Sequence, residues 1–301
     1  MKYRVLKKAG LKVSEIAFGC MSLGLDHQVN SRLIHQAYEG GVNYFDTADI
    51  YQNGMNEIIL GRAISAFRNE VIVATKVGNE PNPNGEGWRW NPSKEYILKA
   101  VDRSLKRLAV EQIDICQLHG GTIEDPFEDT VEAFELLKEQ GKIKYYGLSS
   151  IRPNVIARFV GHSDIVSDML QYSLLDRRPE EEVLNILAEA GVGVMVRGAF
   201  AKAKLLKNDL SNYLGYDSKS IDSLRDMVLL FSNEKRSVFD VMLQWVLANE
   251  KVTSVVLGIR TQAHLKDALS FHGAEQLSQE ELAQLLNLLR SNKYENHKIS
   301  N

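Results

Sequence analysis

A short apolar run followed by an amphipathic one recurs eight times along this 301-residue chain. The apolar runs lie at 16–19, 42–45, 71–77, 113–118, 143–148, 165–170, 193–196 and 254–257. Their length and their content of β-branched residues read as buried strands. The segments between them carry helix punctuation. Asn30-Ser31 opens a helix that Gly40 closes, and Ser93 caps one running to Leu108. Asp125-Pro126 sets a cap and a proline ahead of another, and Pro179 starts one that Gly191 stops. Such alternation calls for parallel strands joined by helical crossovers, and eight units in one undivided chain fit a (β/α)8 TIM barrel, an α/β fold. An open doubly wound sheet competes, but no Gly-x-Gly-x-x-Gly follows the first strand.

Residues 3–5 and 11–13 read as an N-terminal β-hairpin ahead of the barrel. Residues 197–236, after the seventh strand, form a polar excursion with its own helix at 220–231. Ser278 and Glu281 have the spacing of a capping box for an extra C-terminal helix. Residues 78–92 read as a loop rich in Gly, Pro and Trp. No linker divides the chain, so 1–301 is expected to be a single domain.

Composition excludes several classes of function. A net charge of -3 leaves no basic footprint for nucleic acid. No apolar run approaches the ~20 residues of a membrane span. Cys20 and Cys116 both sit in apolar runs without metal-type spacing, which reads as reduced thiols. With no signal-like apolar core near Met1, a cytoplasmic protein is expected. No pair of histidines has ligand spacing at the strand ends, so a metal site is not expected.

In a barrel the strand C-termini share one face, where barrel enzymes keep their chemistry. Here five consecutive strands end in polar groups: Asp46, Lys76, His119, Ser149 and Gln171. Tyr51 follows Asp46 on the same loop. A phenol is a feeble acid at neutral pH, and a neighbouring ammonium such as Lys76 would lower its pKa. Asp46 would hold that lysine charged, and His119 would bond a substrate oxygen or tune the tyrosine. The set suits protonation of an oxygen as charge develops on it. Carbonyl reduction needs that, together with a hydride donor that no side chain supplies.

Several motifs together resemble the aldo-keto reductase superfamily, in its bacterial NADP-dependent branch. They are Gly41-Val-Asn-Tyr-Phe-Asp-Thr-Ala-Asp-Ile-Tyr51, Thr75-Lys76-Val77, Asp114-Ile-Cys-Gln-Leu-His119, Gly141-Lys142-Ile143 with Tyr146-Gly147-Leu148-Ser149, and Gln171-Tyr172. The resemblance covers nearly the whole chain. It implies an NADPH-dependent oxidoreductase that reduces an aldehyde or ketone, with Tyr51 as proton donor and Lys76, Asp46 and His119 in support. It also implies NADPH or NADP+ contacts at Gly19, Cys20, Met21, Asp46, Ser149, Ser150, Gln171 and Arg197. Gly258, Arg260, His264 and Asp267 would serve the adenosine end.

Some positions depart from that pattern. Ser150 stands where an asparagine is usual, His264 replaces Gln or Arg, and Ala268 replaces an asparagine. Residues 199–205 lack the usual proline and glycine, with Ala203 where a bare backbone normally approaches the diphosphate. Lys202 and Lys204 are expected to offset this with charge. Trp88 and Trp90 are expected to wall a pocket for a small carbonyl substrate. Two rival readings are a Schiff-base lyase using Lys76 and a sensor that binds the nicotinamide cofactor with little turnover.

Overall fold

The protein is described by a computed structural model covering residues 1–82, 86–207 and 209–299. Strands β1 (Tyr3–Leu6) and β2 (Leu11–Ser14) pair antiparallel across a turn closed by Gly10 at φ 64°. Then follow β3 (Ile16–Gly19), α1 (His27–Glu39), β4 (Tyr44–Asp46), α2 (Met55–Ile64) and β5 (Ile72–Val77). A second ribbon, β6 (Asn79–Pro81) with β7 (Trp88–Trp90), precedes α3 (Lys94–Leu108) and β8 (Ile113–Leu118). The chain continues through α4 (Phe127–Glu139), β9 (Ile143–Leu148), α5 (Pro153–His162), β10 (Ser167–Gln171), α6 (Val183–Glu189) and β11 (Gly193–Arg197). Helices α7 (Ser218–Leu230) and α8 (Val238–Ala248), β12 (Val252–Gly258), α9 (Gln262–Ser270) and α10 (Gln279–Leu288) complete it.

Eight strands close a parallel barrel in the order β3-β4-β5-β8-β9-β10-β11-β12 and back to β3. This is the (β/α)8 fold expected from the alternation, with the hairpin and both extra helices in place. Period-two alternation divides the apolar residues into two cores. Ile72 and Ala74 of β5 join the barrel interior, while Val73 and Val77 join the layer under the helices. By the same alternation Lys76 points inward at the top of the barrel. Leu6 closes the floor: a Cβ built on Gly193 would lie 2.1 Å from Leu6 Cδ2. Among the described residues no helix is long and apolar enough to cross a membrane.

Local chemistry moved some expected boundaries. Helix α1 begins at His27 because Asp26, not Asn30-Ser31, caps it, accepting from the amides of Gln28 and Val29. Asn30 instead donates to the Gly24 carbonyl at 2.8 Å. Asp125 caps no helix. Its carboxylate accepts from Thr122 N, Thr122 Oγ1 and Trp90 Nε1, tying the loop after β8 to the second ribbon. The strands of that ribbon take up 79–81 and 88–90 of the expected 78–92 loop, whose Pro83, Asn84 and Gly85 lie outside the described residues. The Ser278–Glu281 capping box forms as expected.

Candidate active site

Strand register sets the site. Gly19 pairs with Asp46, Lys76 with Gln117, and Gln171 with Arg197, all at C-terminal strand ends. Inside the rim, Lys76 Nζ donates to both carboxylate oxygens of Asp46 at 2.7 Å and to the Thr47 carbonyl at 2.8 Å. Lys76 is 1% and Asp46 4% exposed, so this ion pair is nearly dry. Burial disfavours the ammonium, yet Asp46 and Tyr51 outweigh it and hold Lys76 above the ordinary lysine value. Burial pushes the Asp46 carboxyl up, with Lys76 and Arg197 pulling it back. With both oxygens bound to one ammonium, the charged form of the pair is the one this geometry holds.

Tyr51 stands over this pair, its ring centroid 5.2 Å from Lys76 Nζ. It heads a tight turn, Tyr51–Gly54, in which Gln52 and Asn53 take left-handed φ values of 50° and 53°. A clamp from the loop after β3 accompanies that strain, with Gln52 Nε2 donating to the Leu23 carbonyl at 2.5 Å. The phenol corrects one expectation. Burial raises the Tyr51 pKa, and this outweighs the downward pull of Lys76. Tyr51 therefore stays protonated. His119 meets the Tyr51 ring edge-on, with centroids 5.9 Å apart and planes at 82°. Burial first, then Lys76 and Arg197, depress its pKa to about 3, so the imidazole is neutral.

A second carboxylate sits behind the tyrosine loop and carries no flag of its own in the sequence. Asp49 accepts from Tyr96 Oη at 3.3 Å, and its backbone amide donates to the Lys76 carbonyl at 3.1 Å. Burial, then the like charge of Glu57, pushes its carboxyl up to about 7. Glu57 itself is wholly buried, accepting from Thr75 Oγ1 and Arg107 Nε at 2.6 Å.

A cavity of about 740 Å³ opens over these groups. Gly19, Met21, Asp46, Ser149, Ser150, Arg197 and Gly258 line it, as do Trp88 and Trp90. Gln171 stands at its edge against Gly198, where an added Cβ would lie 3.6 Å from Gln171 Cγ. Of the expected cofactor contacts, Cys20, Gln171, Arg260, His264 and Asp267 are not among the residues that line the cavity, and the Cys20 thiol is fully buried in the outer core. Arg260, His264 and Asp267 lie exposed around the start of α9, which Thr261 caps by accepting from the His264 amide. Among the described residues no cluster of His, Cys, Asp and Glu suits a metal ion.

The residues present fit a nicotinamide cofactor. Ser149 and Arg197 line the cavity, and no described residue hydrogen-bonds the Ser149 hydroxyl or the Arg197 guanidinium. The rim between β12 and β3 is a narrow cradle: a Cβ on Gly19 would lie 3.1 Å from the Leu257 carbonyl oxygen. One on Gly258 would lie 3.2 Å from Ser22 Oγ, a buried hydroxyl without a partner. Only a bare backbone leaves that slot open.

The segment after β11 differs from what its lysines suggested. Lys204 is 4% exposed and turned inward, paired with Asp209 at 3.1 Å and donating to Ser211, so it cannot add charge at the rim. Ala201, Lys202 and Ala203 all take left-handed φ, at 46°, 60° and 63°. Each costs roughly 1 kcal/mol relative to glycine. Ala203→Gly is therefore expected to raise stability by about 1 kcal/mol, seen as a higher denaturation midpoint. An unchanged or lower midpoint would show that the alanine methyl contributes packing that offsets its strain.

Comparison with known proteins agrees with this geometry. Residues 15–290 match the profile of the aldo/keto reductase family. The chain is 42% identical over 307 residues to the uncharacterized oxidoreductase YqkF of Bacillus subtilis (strain 168), covering 99% of this chain and 100% of that protein. It is 28% identical over 318 residues to versiconal hemiacetal acetate reductase of Aspergillus parasiticus, covering 90% and 92%. Among solved structures, the holo form of aldo-keto reductase AKR11C1 from Bacillus halodurans superposes with a TM-score of 0.92 at 44% identity, covering 99% of each chain. The apo form gives 0.85 at 41% identity, again over 99% of each.

Proposed function

The chain belongs to the aldo/keto reductase family, and from that premise we propose that it reduces an aldehyde or ketone to the alcohol with NADPH, Tyr51 giving the proton. The observation that carries this reading is the dry Lys76–Asp46 pair directly beneath a protonated Tyr51. The bound cofactor supplies the hydride. This chain's residues do the rest. Tyr51 Oη donates to the carbonyl oxygen and gives up its proton as negative charge builds there. Lys76, held charged by Asp46, steadies the phenolate left behind. Neutral His119 offers an N–H to the same oxygen without a competing charge. Ser149, Ser150, Gln171 and Arg197 would hold the nicotinamide end.

A Schiff-base role for Lys76 fits poorly. A nucleophilic lysine needs a depressed pKa, whereas this ammonium is bonded to two carboxylate oxygens and held above its ordinary value. Turnover of an aldehyde and ketone panel, followed by NADPH absorbance, tests the reading. No oxidation of NADPH with any carbonyl would sink it.

Choice of NADPH over NADH rests on Arg260. It is exposed and immediately precedes the capped N-terminus of α9, a position suited to an anion. NADPH is expected to bind at least tenfold tighter than NADH, about 1.4 kcal/mol. Arg260→Ala should erase most of this by weakening NADPH alone, and salt should weaken NADPH more than NADH. Equal loss for both cofactors would mean that Arg260 reads no phosphate.

A further inference from the structure

The cavity carries more positive charge than the proposed reduction uses. Among its lining side chains Lys76, Arg152 and Arg197 are cationic, and Asp46 is the one carboxylate. Asp46 is fully engaged by Lys76. Arg197 stands beside Gln171, on the edge assigned above to the cofactor. That leaves Arg152 without a task.

Arg152 is the N-cap of α5, two residues past Ser150, and its backbone amide donates to Ser150 Oγ at 3.2 Å. Its Nη1 reaches across to the loop after β8 and donates to the Gly121 carbonyl. No described residue accepts from its Nε–H or Nη2–H, and it forms no ion pair. Those two parallel N–H groups are the edge of a guanidinium that grips a carboxylate in two bonds.

A plain structural reading makes Arg152 a loop clamp. Arg158, six residues further along α5, shows what such a clamp looks like here. It donates to the Ile123 carbonyl at 3.0 Å, pairs with Glu128 at 3.5 Å and covers the Phe127 ring at 4.4 Å. Arg152 has the carbonyl contact and neither of the others, and unlike Arg158 it lines the cavity.

The anchor is also fixed in place. Gly120 and Gly121 take φ of 137° and 124°, and a Cβ on Gly120 would meet the Trp90 ring at 3.3 Å. Trp90 is in turn bonded to Asp125, which holds Thr122. The guanidinium is thus tethered at one end, in a cavity whose lining also holds the apolar rings of Trp88 and Trp90 together with Tyr51, Lys76 and His119.

We propose that Arg152 docks a carboxylate carried by the carbonyl substrate, so that the enzyme's substrates are oxo acids with an apolar spacer between the two groups. The inference rests on the carbonyl-reduction reading, and two readouts separate their failures.

In the first, wild type should reduce 4-oxobutanoate at least tenfold better than butanal in kcat/KM, through KM. In Arg152→Gln the ratio should collapse towards one, with Arg152→Lys in between. Equal rates for the two aldehydes in wild type, or an equal loss for both in Arg152→Gln, would make the residue a loop clamp only.

The second readout needs no turnover. Butanedioate should quench the Trp88 and Trp90 fluorescence saturably in the NADPH-loaded protein, and at least tenfold more weakly in Arg152→Gln. Its diamide should not quench at matched concentrations. A protein that reduces no aldehyde but binds butanedioate through Arg152 would overturn the function and keep the anion site. One that binds neither compound would overturn the site.

Discussion

Tyr51→Phe is expected to slow carbonyl reduction by ~10²–10⁴ while NADPH affinity stays within a few-fold. Phenylalanine keeps the ring that meets His119 edge-on and removes only the hydroxyl. Among the described residues that line the cavity, Tyr51 is the one phenol. His119 is neutral, with a pKa near 3, and an imidazole N–H is a far weaker acid than a phenol beside an ammonium. Steady-state rates with NADPH and one good aldehyde measure the effect. A rate near that of wild type would remove Tyr51 as the acid.

The other large effect is expected from Lys76→Met, and it has two parts. Losing the cation should slow reduction and raise the pKa of the alkaline limb of the pH–rate profile. Tyr51 is already above its ordinary value, and Lys76 is the strongest group pulling it down. The same change strands Asp46, 4% exposed, without its partner. Breaking a buried pair this way costs ~3–5 kcal/mol. The sign with pH follows from the carboxyl. Burial raises its folded pKa above the unfolded 3.8, and removing Lys76 raises it further. The variant's stability should therefore fall as pH rises above about 4 and recover in acid, where the carboxyl takes up a proton. Urea denaturation of the variant at pH 5 and pH 8 reads this directly. Equal midpoints at the two pH values, with a wild-type pH–rate profile, would mean that the two residues are not coupled.

The sequence revealed most where a residue's chemistry was decided locally. Strand β8 begins and ends where its apolar run does, and the Ser93 and Ser278 caps bond as their spacing requires. Asp46, Lys76 and His119 were legible because a parallel barrel forces every strand end to one face. What stayed hidden depended on distant partners. Asp125 looked like a helix cap, but Trp90, far along the chain, draws its carboxylate into the loop. Lys204 looked like a free charge at the rim until Asp209 and Ser211 turned it inward. The direction of the Tyr51 shift was misjudged for the same reason. Charge neighbours could be read from motif order, whereas the degree of burial that outweighs them belongs to the packed barrel. Arg152 gave no signal at all, since a lone arginine before a proline at a helix start is ordinary on any surface.

The central claim is that these residues protonate a carbonyl oxygen while a nicotinamide delivers hydride to its carbon. A single turnover of an aldehyde by wild-type protein loaded with NADPH deuterated at both C4 positions tests it most directly. The account expects one deuterium on the carbinol carbon, formed more slowly than with unlabelled NADPH, and no labelled product on the same timescale from Tyr51→Phe. Alcohol without deuterium, or labelled alcohol formed equally fast by Tyr51→Phe, would contradict it.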